Sequence, residues 1–189
     1  MLFRSPNKPE KILLCYGDSI THGYEALHTS EKYTSILARY LNACEYNKGV
    51  AGDICVGEMP LYKDDIKPDY ITVAYGTNDW NCCPVNIFIR HTKMFYEKLT
   101  EAYPDSKIFA ISPIWRSDCE QNSRLGEFSD VEKIIKEHIS QYKHVTLIEG
   151  FDLVPHKKSF FVGELALHPS SEGFKLYAEN LYKKIKNLI

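Results

Sequence analysis

A chain of 189 residues with 44% hydrophobic content can fill one core well but is short for two, so a single domain, 1–189, is expected. Its 23 Lys and Arg and 25 Asp and Glu are interspersed, for a formal net charge of -2, and no basic block tracks a phosphate backbone, which excludes nucleic acid as an expected partner. The opening MLFRSPNKPEK lacks the apolar stretch of a secretory signal, no run of about 18 apolar residues occurs, and the cysteines have no CxxC spacing, so a soluble cytoplasmic protein with reduced thiols and no membrane partner is expected.

Apolar runs that read as buried strands alternate with stretches of helical period, the pattern of a parallel sheet covered on both faces. Strands are expected at Ile12 to Tyr16, Glu45 to Lys48, Tyr70 to Tyr75, Lys107 to Ser112 and Val145 to Glu149. Between them, EKYTSILARYLNAC sets Tyr33, Ile36, Leu37, Tyr40 and Leu41 at helical spacing, and VNIFIRHTKMFYEKLTEAY does the same with Ile87, Phe88, His91, Phe95 and Leu99. SDVEKIIKEHISQY opens on Ser129 as an expected cap with Glu132 three residues on, and SSEGFKLYAENLYKKIKNLI closes the chain, capped by Ser170 or Ser171 and basic in its last turn. The polar stretch Ser117 to Gly126 is expected to form a mobile loop. In an open sheet of this kind ligands bind outside the carboxyl ends of the strands, so the loop is placed to border a site.

Four segments fall at such places. YGDSITHG follows the first strand; Gly17 permits a tight turn, and Ser19 would then stand beside free backbone N–H groups, where a nucleophile gains. NKGVAGD follows the second strand, and the N–H of Gly52 is placed to meet a developing oxyanion. YGTNDW ends the third strand with Asn78, a neutral donor to an oxyanion, while Asp79 braces the loop. LALHPSSEGF precedes the last helix, where Pro169 stiffens the chain beside His168 as a base must be stiffened. Each segment alone is also an ordinary turn signature.

Together and in this order the blocks resemble the SGNH hydrolases, the GDSL-type esterases and lipases, with Ser19 in GDSI, Gly52 in NKGVAG, Asn78 in GTND and His168 in LHPSSEG. The resemblance runs from residue 12 to 188 and includes ISPIW after the fourth strand. It implies a three-layer α/β/α sandwich, flavodoxin-like, with strand order 2-1-3-4-5. It also implies an acyl-Ser19 intermediate, His168 as general base, and an oxyanion hole of the Ser19 and Gly52 N–H groups with the Asn78 amide. No metal or organic cofactor is required.

One position departs from the family pattern: the aspartate usual three residues before the histidine is Leu165. Glu164, Asp152 or a backbone carbonyl is left to orient the imidazole. Asp18, Tyr24, Trp80, Trp115 and Arg116 are expected to line a substrate groove, and aromatic surfaces with a nearby Arg suit sugars or polar esters. The resemblance implies as substrate a short acyl, chiefly acetyl, ester, on a small molecule or a carbohydrate. A binding protein that kept the fold but lost acid support is the alternative, resting on Leu165. Cys82 and Cys83, adjacent after GTNDW, are awkward ligands for one ion.

Overall fold

The computed structural model describes residues 9–189, so most of the amino-terminal segment read above for a leader lies outside the described residues. In chain order the elements are β1 (Lys11–Gly17), α1 (Ser19–His22), α2 (Tyr33–Tyr40), β2 (Ala43–Asn47), β3 (Tyr70–Ala74), α3 (Thr77–Cys82), α4 (Val85–Ala102), β4 (Lys107–Ile111), α5 (Phe128–Ile139), β5 (Val145–Ile148), β6 (Phe161–Val162), β7 (His168–Pro169) and α6 (Ser171–Ile185), with three short 3-10 turns between. The first five strands form one parallel sheet in the order β2-β1-β3-β4-β5, as the resemblance implied, and β6 and β7 form a separate antiparallel pair.

Period-two alternation in β1, an interior strand of the sheet, divides the core. Leu13 and Cys15 of β1 face α2 and α6, packing with Tyr33, Leu37, Phe174, Tyr177 and Leu181. Leu14 and Tyr16 face the other way, into Phe88, Phe95 and Leu99 of α4 and Val131 and Ile135 of α5. Rings lock both layers: Tyr33 stacks on Tyr177 at 4.2 Å between centroids, and Phe95 meets Tyr16 edge-on at 5.5 Å. Two residues expected on packed faces sit at their margins: Tyr40, exposed, leans on Tyr182, and His91 uses Nδ1 to accept the Gly57 N–H.

Two local expectations are corrected. Ser129 is not the cap of α5; Glu127 is, accepting the N–H of Asp130, whose carboxylate accepts the Glu127 N–H in return. Glu132 is drawn away, taking a hydrogen bond from Ser112 Oγ at 2.6 Å. The stretch Ser117 to Gly126, expected as a mobile loop, is bound to α3: the Trp80 indole donates to the Gly126 carbonyl at 2.9 Å, and Leu125 is buried beneath it. Among the described residues no helix is long and apolar enough to cross a membrane.

Candidate active site

The site forms where β1 ends. A Cβ on Gly17 would stand 2.1 Å from Thr21 Oγ1 and 2.7 Å from the Ala74 carbonyl, so only glycine lets the chain turn there against β3. Asp18 then caps α1, its Oδ1 accepting the Ile20 N–H at 2.9 Å. Ser19 is the first residue of that helix, and its N–H has no partner among the described residues.

His168 arrives from the other end of the chain. Val162 pairs with it across the β6–β7 ladder, the Ser170 N–H donates to the Phe160 carbonyl at 2.9 Å, and Ser170 Oγ caps α6 by accepting the Gly173 N–H. Ser171, the other expected cap, instead donates to Glu31 at 2.6 Å. These ties put His168 Nε2 2.9 Å from Ser19 Oγ, although the two residues are 149 positions apart. Burial holds the imidazole below its ordinary value; Glu25 pulls it up, and Arg116 pushes it down again. The ring is therefore neutral at pH 7, and with Nδ1 protonated its Nε2 accepts from the serine hydroxyl.

The remaining donors are gathered by two hydrogen bonds. The Val50 N–H donates to the Gly17 carbonyl at 3.1 Å, which hangs the Val50–Asp53 turn on the end of β1. Within that turn the Asp53 N–H returns to the Val50 carbonyl, and Gly52, at φ +81, occupies the third position, where a type II turn requires a left-handed residue. Its own N–H has no partner among the described residues, and the space beside its Cα is open. Asn78 Nδ2 donates to the Asp53 carbonyl at 2.8 Å, joining α3 to the turn and leaving its second amide hydrogen for a ligand. Asp79 braces the same corner, as expected, by accepting the Cys55 N–H at 2.9 Å. Burial raises its carboxyl to about 6.

Of the residues expected to line a groove, three are packing residues instead. Asp18 is 2% exposed and committed to its cap. Trp80 is buried edge-on against Phe128. Arg116 is buried over the Trp80 ring, forks onto Asp118 and donates to the Thr77 carbonyl at 3.1 Å, so its charge is neutralised inside the fold. Trp115 stacks on His156 and borders a cavity of about 670 Å³ with Phe128, Phe151 and Glu132, whose walls include none of Ser19, Gly52, Asn78 and His168. Tyr24 alone of this group meets the site, its ring 4.9 Å from that of His168.

None of the candidates for the acid reaches the imidazole. Glu164 is exposed, and its carboxylate has no partner among the described residues; only its carbonyl is used, by Lys158. Asp152 binds His156 at 3.1 Å. The Leu165 carbonyl is taken by the N–H and Oγ of Ser117, at 3.3 and 2.7 Å, and among the described residues no carbonyl accepts from His168 Nδ1. Asn47 is a residue that sequence reasoning passed over. Its Nδ2 donates to the Thr21 carbonyl at 2.7 Å and its Oδ1 accepts the Gly49 N–H at 2.8 Å, so it pins the glycine turn to α1; its place two residues before a glycine was the available signal.

A family model described as the GDSL-like Lipase/Acylhydrolase family matches residues 15–176. No curated protein sequence matches the chain. Among solved structures, a protein from Lactobacillus plantarum superposes with a TM-score of 0.81 at 21% identity, covering 95% of this chain and 98% of its own. A family two carbohydrate esterase from Clostridium thermocellum, in complex with cellohexaose, gives 0.77 at 22% identity over 100% of this chain and 67% of its own. A salicylyl-acyltransferase from a tetracycline biosynthetic pathway gives 0.80 at 18% identity over 98% of this chain, which spans only 56% of that protein. At these identities the superpositions speak for the fold; the extent of the family match, together with a serine and a histidine brought into contact from opposite ends of the chain, places this protein in the GDSL-like lipase/acylhydrolase family of the SGNH hydrolases.

Proposed function

We propose that the protein is a serine esterase acting on short acyl esters, chiefly acetyl esters of small polar alcohols or carbohydrates. The observation that carries the reading is the 2.9 Å contact between Ser19 Oγ and His168 Nε2. As Ser19 Oγ attacks the ester carbonyl carbon, His168 Nε2 takes its proton, and the carbonyl oxygen becomes an oxyanion facing the N–H groups of Ser19 and Gly52 and the Asn78 amide. Collapse breaks the bond to the alcohol, which leaves with the proton from His168. Water then attacks the acyl-serine with His168 as base, and the acid is released as Ser19 regains its proton. Preference for a carbohydrate leaving group draws support from the carbohydrate esterases among the superposed structures.

The test is a series of p-nitrophenyl esters of rising chain length beside acetylated sugars, with Ser19→Ala as blank. Turnover highest on acetyl esters and abolished in the blank is the expected result; turnover that survives in Ser19→Ala overturns the reading. The lack, among the described residues, of a carboxylate bonded to His168 Nδ1 favours a second reading, a binding protein with weakened catalysis. Labelling of Ser19 by an organophosphonate ester separates the two, since an unactivated serine stays unlabelled.

A further inference from the structure

The cavity beside Trp115 lies over the ends of β4 and β5, at the amino end of α5, and its volume of about 670 Å³ suits a small molecule. Hydrogen bonds set its floor. Ser112, which follows β4, accepts the N–H of Gly150, which follows β5, at 2.8 Å, and its Oγ donates to Glu132 Oε2 at 2.6 Å, so the Glu132 carboxylate is carried to the strand ends. One wall is aromatic throughout: the Trp115 indole stacks on the His156 ring at 5.6 Å and 11°, Phe151 meets the same ring edge-on at 4.6 Å, and Phe128 lies 6.3 Å from Phe151. Phe161 backs Trp115 at 5.4 Å, and the Trp115 N–H is fixed on the Phe151 carbonyl, so this wall is held by the fold itself.

Charge decides what the cavity takes. A helix amino terminus commonly attracts an anion, but that of α5 is covered by its own cap, the Glu127 carboxylate accepting the Asp130 N–H and the Asp130 carboxylate that of Glu127. Glu120, Glu127 and Glu132 line the cavity, no lysine or arginine does, and among the described residues none of these three carboxylates is ion-paired. His156, the basic ring in the wall, has its Nε2 at 3.1 Å from both the Asp152 carboxylate and the Phe151 carbonyl. We infer that this cavity binds a small alkylammonium ion, its apolar groups against the aromatic wall and its charge facing Glu132. Aromatic rings and carboxylates both attract a cation, whereas a neutral ligand gains only the first surface and an anion is repelled by the second. The site is separate from the reacting pair, since neither Ser19 nor His168 is in its walls.

Titration calorimetry of the full chain tests this without turnover, using choline, its neutral carbon isostere neohexyl alcohol, and the tert-butylacetate anion. Choline should bind saturably and at least about tenfold more tightly than either of the others, and about 1 M salt should weaken it. Glu132→Gln keeps an acceptor for Ser112 Oγ and removes the charge; it should weaken choline about three- to tenfold. Phe151→Leu, at a ring 37% exposed and so removable with little loss of packing, should weaken it about two- to fivefold. Tyr24→Leu, beside His168, should leave choline binding in place. Neohexyl alcohol binding as tightly as choline, no saturation by choline below about 10 mM, or an affinity unmoved by Glu132→Gln and Phe151→Leu overturns the inference. So does a loss of binding in Tyr24→Leu, which would seat the cation at the reacting pair.

Discussion

Replacing Asp18 by Asn isolates the electrostatic strain beneath the nucleophile. The Asp18 carboxyl is 2% exposed, and burial, with Asp79 and Asp53 nearby, raises it from an ordinary 3.8 to about 7. Below pH 3.8 both folded and unfolded chains hold this proton, so the group takes nothing from stability. From there to about pH 7 the unfolded chain has released the proton and the folded chain keeps it, and stability falls by ~1.4 kcal/mol per pH unit, to a total of ~4 kcal/mol. Asparagine cannot ionise, yet its Oδ1 can still accept the Ile20 N–H, so the cap survives. The new amide adds a constant offset that does not change with pH.

The quantity to measure is therefore the stability difference between Asp18→Asn and the parent as a function of pH, from urea melts at pH 4 through pH 8. The advantage of the variant should grow by up to ~4 kcal/mol across that range, equivalent to roughly 10 °C in Tm for a chain of this length. Parallel stability curves for the two proteins would refute the assignment of a protonated, enclosed carboxyl to Asp18.

Asn78→Ala removes a proposed oxyanion donor together with the bond to the Asp53 carbonyl, so kcat should fall ~100- to 1,000-fold while stability drops by only ~1 kcal/mol; a loss under about tenfold in steady-state assays would take Asn78 out of the proposed oxyanion hole. Because burial leads the effects that hold His168 below 6.5, kcat/KM should rise with pH through an inflection under that value and be level at neutrality, and an inflection above 6.5 would contradict the description of its surroundings. Phe95, fully buried and in ring contact with Tyr16, Tyr75 and Tyr96, should lose ~3 to 5 kcal/mol on truncation to Ala in denaturant melts, and a loss below about 1.5 would show that the layer between sheet and α4 is not closely packed.

The inner strands were legible because strands buried on both faces must be written as apolar runs; the edge strand β2 is partly exposed and mixed in composition, yet all five lie within about two residues of their expected limits at each end. Helix α3 was not legible. TNDWNC has no apolar period, and the helix exists because Trp80 and Leu125 close over it and the Trp80 N–H reaches back to the Gly76 carbonyl. The same contacts explain why a polar stretch, Ser117 to Gly126, is bound down where composition suggested freedom. Trp80 and Arg116 were misplaced for a related reason: an aromatic and a guanidinium suit a ligand groove and a packed cation–π pair equally well in sequence, and only the Asp118 carboxylate and the Thr77 carbonyl settle them inside. The meeting of serine and histidine was legible through block order, which fixes the strand ends on which the blocks must sit.

The missing aspartate is the most informative departure, because the structure separates two tasks that one carboxylate performs together when it is bonded to the imidazole. Position is met mainly by the main chain: the Ala166 N–H returns to the Gly163 carbonyl, Ser117 holds the Leu165 carbonyl, and Val162 pairs with His168, while the Tyr24 ring meets the imidazole at 4.9 Å. With the ring so held, position 165 faces outward and accepts an exposed leucine. What these bonds do not supply is negative charge for the imidazolium, and among the described residues no carboxylate is hydrogen-bonded to the ring. An acid working through space tolerates loose geometry but is weakened by solvent, whereas a bonded one is strong and unforgiving of displacement. His168 is accordingly placed by its loops, which bring it to the 2.9 Å contact with Ser19.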